Sequence, residues 1–157
     1  MIPRTLHPVL VEAAEALPVV TLTGPRQSGK TTLVQAAFPD LPYATLEAPD
    51  TRQRAAEDPR GVLGGFPNGA ILDEVQRVPD LLSYIQGMVD EDPRPGRFIL
   101  TGSQNLLLMD RISQSLAGRT RILHLYPFSL SELEARAPWD PDSDAAPVSS
   151  THLRAHE

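Results

Sequence analysis

The sequence predicts an α/β fold, a five-stranded parallel sheet flanked by helices. Three observations predict it. Short apolar runs alternate with amphipathic stretches about every 25 residues, the spacing of strand–helix–strand units with right-handed crossovers. The loop GPRQSGKT, Gly24 to Thr31, stands between an apolar run and a helix-compatible one. The third apolar run ends in ILDE, which puts Asp73 and Glu74 at the carboxyl end of a strand.

The elements follow in order. Leu6 to Leu17 repeats apolar residues at helical spacing (Leu6, Leu10, Ala13, Ala14, Leu17) and ends at Pro18. VVTLT, Val19 to Thr23, is the first strand, and TTLVQAAF, Thr31 to Phe38, is the helix after the glycine loop. Pro39 and Pro42 bracket a turn into a second strand, Tyr43 to Glu47. Asp50 is the expected N-cap of a helix through Asp58 that Pro59 stops, and Gly61 to Gly69 reads as a helical turn and loop.

The third strand, Ala70 to Glu74, follows Asn68-Gly69. Pro79 to Glu91 carries a Leu81, Leu82, Ile85, Met88, Val89 stripe and reads as an amphipathic helix. Phe98 to Thr101 gives the fourth strand, Gln104 to Leu116 a helix, and Arg121 to Leu125 the fifth strand. PFSLSELEAR then starts a helix with Ser129 as N-cap and Glu132 in the capping-box position. Residues 1–136 form the expected domain. The stretch 137–157 has prolines, acidic residues and no apolar period, and is expected to be disordered.

Composition narrows the function. A chain of 157 residues is one domain, and aromatics are only 5%, so its core rests on Leu, Ile, Val and Ala. A net charge of −6 argues against a general nucleic-acid surface. Without cysteine there is neither a disulfide framework nor a thiolate metal site. His7 and His124 have no clustered partners in the sequence, and Trp139 carries no inference. The N-terminal residues lack the basic flank, apolar core and cleavage site of a signal peptide, and no apolar run reaches membrane-spanning length. The expected compartment is the cytoplasm.

GPRQSGKT fits the phosphate-cradling pattern G-x-x-x-x-G-K-[ST] without mismatch. Gly24, Pro25, Arg26, Gln27, Ser28, Gly29, Lys30, Thr31 and the following Thr32 are therefore the candidate nucleotide-binding segment. The glycines let backbone amides form an anion nest at a helix N-terminus. Lys30 is expected to reach the β and γ phosphates, and the Thr31 hydroxyl to ligate Mg²⁺. Of 14 lysine and arginine residues only Lys30 is lysine. A compact, flexible ammonium suits that place where a planar guanidinium is bulky.

Asp73 is the expected second holder of Mg²⁺ and Glu74 the group that polarises a water for attack on the γ phosphate. A guanine-reading Asn-Lys-x-Asp motif needs a second lysine, which the chain lacks. The acidic pair therefore favours ATP hydrolysis over GTP switching or phosphoryl transfer to a metabolite. At the end of the fourth strand Ser103, with Gln104 and Asn105 behind it, is placed to contact the γ phosphate or the attacking water. Ser103 as a helix cap is the competing reading, and both can hold. Arg119 is either an arginine finger for a neighbouring subunit or a cation at a helix C-terminus. Arg26 is either a second phosphate-site cation or a surface residue.

TGPRQSGKTTL, LDEVQRVPDLL, LTGSQN, SLAGR and LYPFSLSEL, in this order, resemble the ATPase core of bacterial and archaeal AAA-type (AAA+) ATPases. Members of that group carry a further C-terminal domain of uncertain role. The resemblance covers roughly residues 1 to 136 and implies a P-loop NTPase sheet in the order 5-1-4-3-2. It further implies Gly24 to Thr32 as Walker A, Asp73 and Glu74 as Walker B, and Ser103 in the sensor-1 region. The group's members are more than twice as long, so a truncated or frame-shifted member, or a free-standing core, is expected. The implied ligands are ATP and Mg²⁺, with self-association or a protein partner open. A non-catalytic, nucleotide-dependent interaction module is the alternative to an ATPase, and a degenerate remnant the third reading.

Overall fold

In the computed structural model, residues 4–134 are described. The expectation of a disordered tail at 137–157, and Trp139 with it, lies outside them. The element order is α1 (His7–Ala16), β1 (Val19–Gly24), α2 (Lys30–Ala37), β2 (Tyr43–Thr45), α3 (Pro49–Glu57) and α4 (Pro59–Gly64). There follow β3 (Ala70–Asp73), a 3-10 turn (Val75–Arg77), α5 (Leu81–Glu91), β4 (Phe98–Ser103), α6 (Leu106–Ser115), β5 (Thr120–His124) and α7 (Leu130–Glu134).

All four strand pairings are parallel and the sheet order is β2-β3-β4-β1-β5, the 5-1-4-3-2 order the resemblance implied, read from the other edge. Strand residues alternate between two apolar layers, as a period of two requires. Val19, Ala70, Leu72, Phe98 and Leu100 pack with Leu46, Leu63, Leu82, Ile85 and Ile112 from one side. Val20, Leu22, Ile71, Ile99 and Leu123 pack with Leu10, Ala13, Leu33 and Val34 of α1 and α2 on the other. Every residue of β1 is buried, as expected of a central parallel strand covered on both faces. Phe98 is the one aromatic among the largest fully buried side chains, so the core is aliphatic as composition required.

Several boundaries differ from the sequence reading, each for a local reason. α3 begins at Pro49 behind Ala48, and Asp50 sits inside its first turn rather than capping it. Proline at N1 has the helical φ built in and no amide to satisfy, so no side-chain cap is needed. α4 starts at Pro59, not Gly61, because Asp58 accepts a hydrogen bond from the Gly61 amide and caps it. Asn105, not Ser103, caps α6, accepting from the Leu108 amide at 2.7 Å, and α6 therefore starts at Leu106 rather than Gln104. β2 stops at Thr45, two residues short of Glu47, and β4 runs on to Ser103.

The Ser129–Glu132 capping box forms as expected. The Ser129 amide donates to Glu132 Oε2 at 2.9 Å, and the Glu132 amide to Ser129 Oγ at 3.3 Å. Burial by itself raises the Glu132 carboxyl, but hydrogen bonds from the Ser129 and Thr5 amides and the Thr5 hydroxyl, with the Arg4 charge, hold it at about 2. A carboxyl lowered in the folded state stabilises the fold above its unfolded value of 4.5 and loses that contribution as pH falls towards 2. The thermal midpoint is therefore expected to drop through this window. Glu132→Gln should unfold at a lower temperature at neutral pH and show a flatter acid profile, which thermal melts between pH 7 and 2 measure.

Candidate functional site

The carboxyl ends of β1, β3 and β4 lie side by side, with Gly24 in register with Ser103 and Leu72 with Leu100. Open parallel sheets bind ligands beyond these ends. The loop 25–29 leaves β1 there and returns as α2. A Cβ on Gly24 would run into the Leu125 carbonyl oxygen, so only glycine lets the loop start this close to the chain after β5. Gln27 and Gly29 have φ of 61° and 88°, left-handed values within one short loop. Gly29 adopts its angle freely; Gln27 does so at a conformational cost of order 1 kcal/mol. Such sign changes in φ turn successive backbone N–H groups to one side, the geometry of an anion nest.

Lys30, the first residue of α2, is 5% exposed. Its Nζ donates to the carbonyls of Gly24 (3.0 Å) and Pro25 (2.8 Å), so the ammonium lies across the loop with a third N–H remaining. Ser28 Oγ also donates to the Pro25 carbonyl, at 2.9 Å. Thr31 Oγ1 donates to Asp73, at 3.0 Å from Oδ2 and 3.2 Å from Oδ1. Thr32 is exposed on α2, as are Pro25 and Arg26 in the loop. Arg26 forms an exposed ion pair with Glu47 at 3.7 Å across the mouth of the site.

Asp73 ends β3 and is 4% exposed. Besides Thr31, it accepts from the Tyr43 hydroxyl at 2.6 Å and from the Thr101 hydroxyl. Burial first, then the hydrogen bond and charge of Asp73, push the Tyr43 hydroxyl up, so it stays a donor to the carboxylate. Sequence reasoning missed both Tyr43 and Thr101. Their only signal was position, each lying on a strand that pairs with β3, the strand that ends in Asp73.

Glu74 leaves the strand in a left-handed conformation, φ 62°. With Gln27 it makes up the positive-φ non-glycine residues among those described, and both belong to this site. Strain of this kind concentrates at functional positions. The Glu74 amide donates to Thr101 Oγ1 at 3.2 Å, and Gln76 Nε2 donates to Glu74 Oε2. Gln76 Oε1 in turn accepts from the Ser103 amide at 3.3 Å. Gln76, absent from the sequence-derived candidates, thus bridges Glu74 and Ser103. Asn105 is committed to capping α6, and Gln104 is exposed between them.

Arg119 lies elsewhere. Its carbonyl accepts from the amide of Val19, the first residue of β1, so it stands at the amino ends of the strands, opposite the end that carries the loop. Its guanidinium pairs with Asp90 at 2.5 and 3.1 Å, and that hydrogen bond holds the Asp90 carboxyl below its ordinary value. It therefore does not join this chain's own site. His124 Nδ1 bonds Thr23 Oγ1 at 2.7 Å, and among the described residues no metal-binding cluster of His, Asp or Glu forms.

Loop and acids enclose a cleft of about 370 Å³ lined by Gln27, Gly29, Lys30, Thr31, Asp73 and Glu74, with the Arg26–Glu47 pair at its rim. Larger clefts lie between α4 and α5 (610 Å³) and beside β2 (750 Å³). They contain neither the loop nor the acidic pair, so the chemistry favours the smaller cleft. The donors beside Asp73 are all oxygen. Mg²⁺ takes one or two protein oxygens and keeps water and phosphate ligands, so a hydroxyl against one carboxylate fits it without a larger cluster.

Among the described residues no helix is long and apolar enough to cross a membrane. An AAA-domain family model matches residues 17–134. Uncharacterized proteins of Mycobacterium tuberculosis (Rv2008c) and Mycobacterium bovis (Mb2031c) are each 38% identical over 130 residues, 82% of this chain. The chain spans 29% of the length of each. A Walker-type ATPase of Pyrococcus abyssi has a similar structure (TM-score 0.60, 20% identity, 84% of this chain and 55% of that one). So does domain III of the Thermotoga maritima replication initiation protein DnaA (TM-score 0.54, 16% identity, 86% of this chain and 68% of that one). At these identities the structures speak for the fold alone. The chain belongs to the AAA-domain family, and residues 17–134 are an AAA-type ATPase core with the P-loop NTPase fold.

Proposed function

We propose that this chain binds Mg-ATP in the cleft between the Gly24–Thr31 loop and β3 and hydrolyses its β–γ phosphoanhydride. The observation that carries the reading is the contact of Thr31 Oγ1 with Asp73 at 3.0 Å, directly beside the Lys30 loop and one residue before Glu74. The loop amides and Lys30 hold the β and γ phosphates, and Thr31 and Asp73 hold Mg²⁺. Held by Thr31 and Asp73, Mg²⁺ would supply neutralisation of the charge that develops on the phosphates. Tyr43 and Thr101 fix the Asp73 carboxylate through its other lone pairs. Glu74 orients a water and accepts its proton as the water oxygen attacks the γ phosphorus and ADP leaves. Ser103, tied through Gln76 to Glu74, lies beside the γ phosphate.

The test is phosphate release from ATP by the purified chain with Mg²⁺ and with EDTA. Magnesium-dependent release is expected, and release equal in EDTA would contradict the metal assignment. In Gln76→Ala, Glu74 and the Ser103 amide lose their shared partner. Turnover is expected to fall about tenfold with ATP affinity unchanged, the size of one lost hydrogen bond to a charged group. Steady-state kinetics beside equilibrium binding separates the two quantities.

A second reading is a nucleotide-dependent interaction module in which turnover is incidental. The exposed Leu106 and Leu107, at 85% and 80%, immediately after the Asn105 cap at the rim of the site, favour it. Single-turnover hydrolysis that accelerates on addition of a partner would favour this reading; fast hydrolysis by the chain alone would favour the first.

A further inference from the structure

We infer that Arg4 is a positioning residue for the phosphate loop and that, through Glu132, it couples the loop's occupancy to helix α7. All three guanidinium nitrogens are engaged, each with a different segment. Nη1 donates to the Ser28 carbonyl at 2.9 Å, Nη2 to the Tyr126 carbonyl, and Nε to Glu132 Oε1 at 3.3 Å. The guanidinium also lies over the Phe128 ring, 4.1 Å from its centre. The side chains of Arg4 and Glu132 are 7% and 5% exposed, so this is an enclosed ion pair rather than a surface contact.

The Ser28 bond bears on phosphate binding because of peptide geometry. The Ser28–Gly29 peptide is planar and trans, so its C=O and N–H point in opposite directions. Drawing the carbonyl towards Arg4 sets the Gly29 N–H on the far side of the peptide. Gly29 is the residue whose left-handed φ of 88° opens α2. Its neighbour Lys30 and the Ser28 hydroxyl share the Pro25 carbonyl, at 2.8 and 2.9 Å. A change in the Ser28–Gly29 peptide therefore reaches both the amide nest and the ammonium.

Glu132 connects this point to α7. Its Oε1 accepts from Arg4 Nε, the Thr5 amide (2.8 Å) and Thr5 Oγ1 (3.0 Å), while Oε2 accepts from the Ser129 amide and closes the α7 cap. One carboxylate thus orients the guanidinium and starts the helix. A phosphate that tightens the loop tightens α7 through this path, and by linkage α7 acts back on nucleotide affinity to the same extent.

This inference rests on the Mg-ATP reading, and its test keeps the two apart. The full chain and its Arg4→Lys and Glu132→Gln variants are titrated with a fluorescent ATP analogue in Mg²⁺. Amide exchange at Glu132 and Leu133 is followed with and without ATP. Lysine keeps the charge opposite Glu132 but cannot serve three segments at once. The expected results are affinity about tenfold weaker in Arg4→Lys, about threefold weaker in Glu132→Gln, and ATP-dependent protection of α7 in the wild type that both variants lose. A purely structural arginine would lower the melting temperature without making α7 exchange depend on ATP. If Arg4→Lys does not fold, Glu132→Gln carries the same comparison. Wild-type affinity in a folded variant, or α7 exchange indifferent to ATP in the wild type, overturns the inference and leaves the Mg-ATP reading standing. Failure of the wild type to bind ATP overturns both.

Discussion

Replacing Lys30 by alanine is expected to weaken ATP binding at least about 100-fold, the loss of charge-assisted hydrogen bonds to two phosphates. Lys30 is the chain's single lysine and is 5% exposed at the first position of α2. Its Nζ lies 3.0 and 2.8 Å from the Gly24 and Pro25 carbonyls, so the cation is held over the loop that would receive the phosphates. Those two bonds also brace the loop, and the alanine variant is expected to lose a little stability as well. Calorimetric titration with ATP, set beside a thermal melt, separates the effects. A folded Lys30→Ala protein with unchanged affinity would refute the site assignment.

Glu74→Gln is expected to keep ATP affinity within about twofold and to lower turnover by about 10² to 10⁴, the usual contribution of a general base. Glutamine keeps the size of the side chain and an oxygen that can accept from Gln76 Nε2, so the local geometry survives while the proton acceptor is lost. The backbone supports this role. Glu74 is held at φ 62°, and its amide is fixed on Thr101 Oγ1 at 3.2 Å, so the side chain is directed by a strained and hydrogen-bonded turn. Rapid-quench measurement of ADP formation checks the prediction. Turnover retained in this variant would move the base to another residue.

What the sequence made legible was local. GPRQSGKT is a contiguous pattern, and its strand and helix are adjacent to it, so the loop, Lys30 and Thr31 could be located from spacing alone. Asp73 and Glu74 were legible because apolar residues lead straight into them. The Ser129–Glu132 capping box spans only four residues and forms as expected. The sheet order was not legible from periodicity and came with the family resemblance.

What depended on long-range packing could not be seen. Tyr43 and Thr101 reach Asp73 from 30 and 28 residues away in sequence, and their value lies in the strand order β2-β3-β4. Glu132 was recognised as a cap, but its bond to Arg4 spans 128 residues and has no sequence signal. Capping was misplaced where two candidates competed. Asn105 took the α6 cap from Ser103, and Pro49 made Asp50 unnecessary as the α3 cap. The helix-end reading of Arg119 holds, its guanidinium donating to the Ala117 carbonyl just past α6, but its pairing with Asp90, 29 residues away, had no sequence signal.

The central claim is that one site, built from the Gly24–Thr31 loop and Asp73, binds ATP with Mg²⁺. Isothermal titration of ATP into the full chain, in Mg²⁺ and in EDTA, tests it most directly. One saturable site per chain is expected in Mg²⁺, with markedly weaker binding in EDTA. No saturable heat in Mg²⁺, or equal affinity in both buffers, would contradict it.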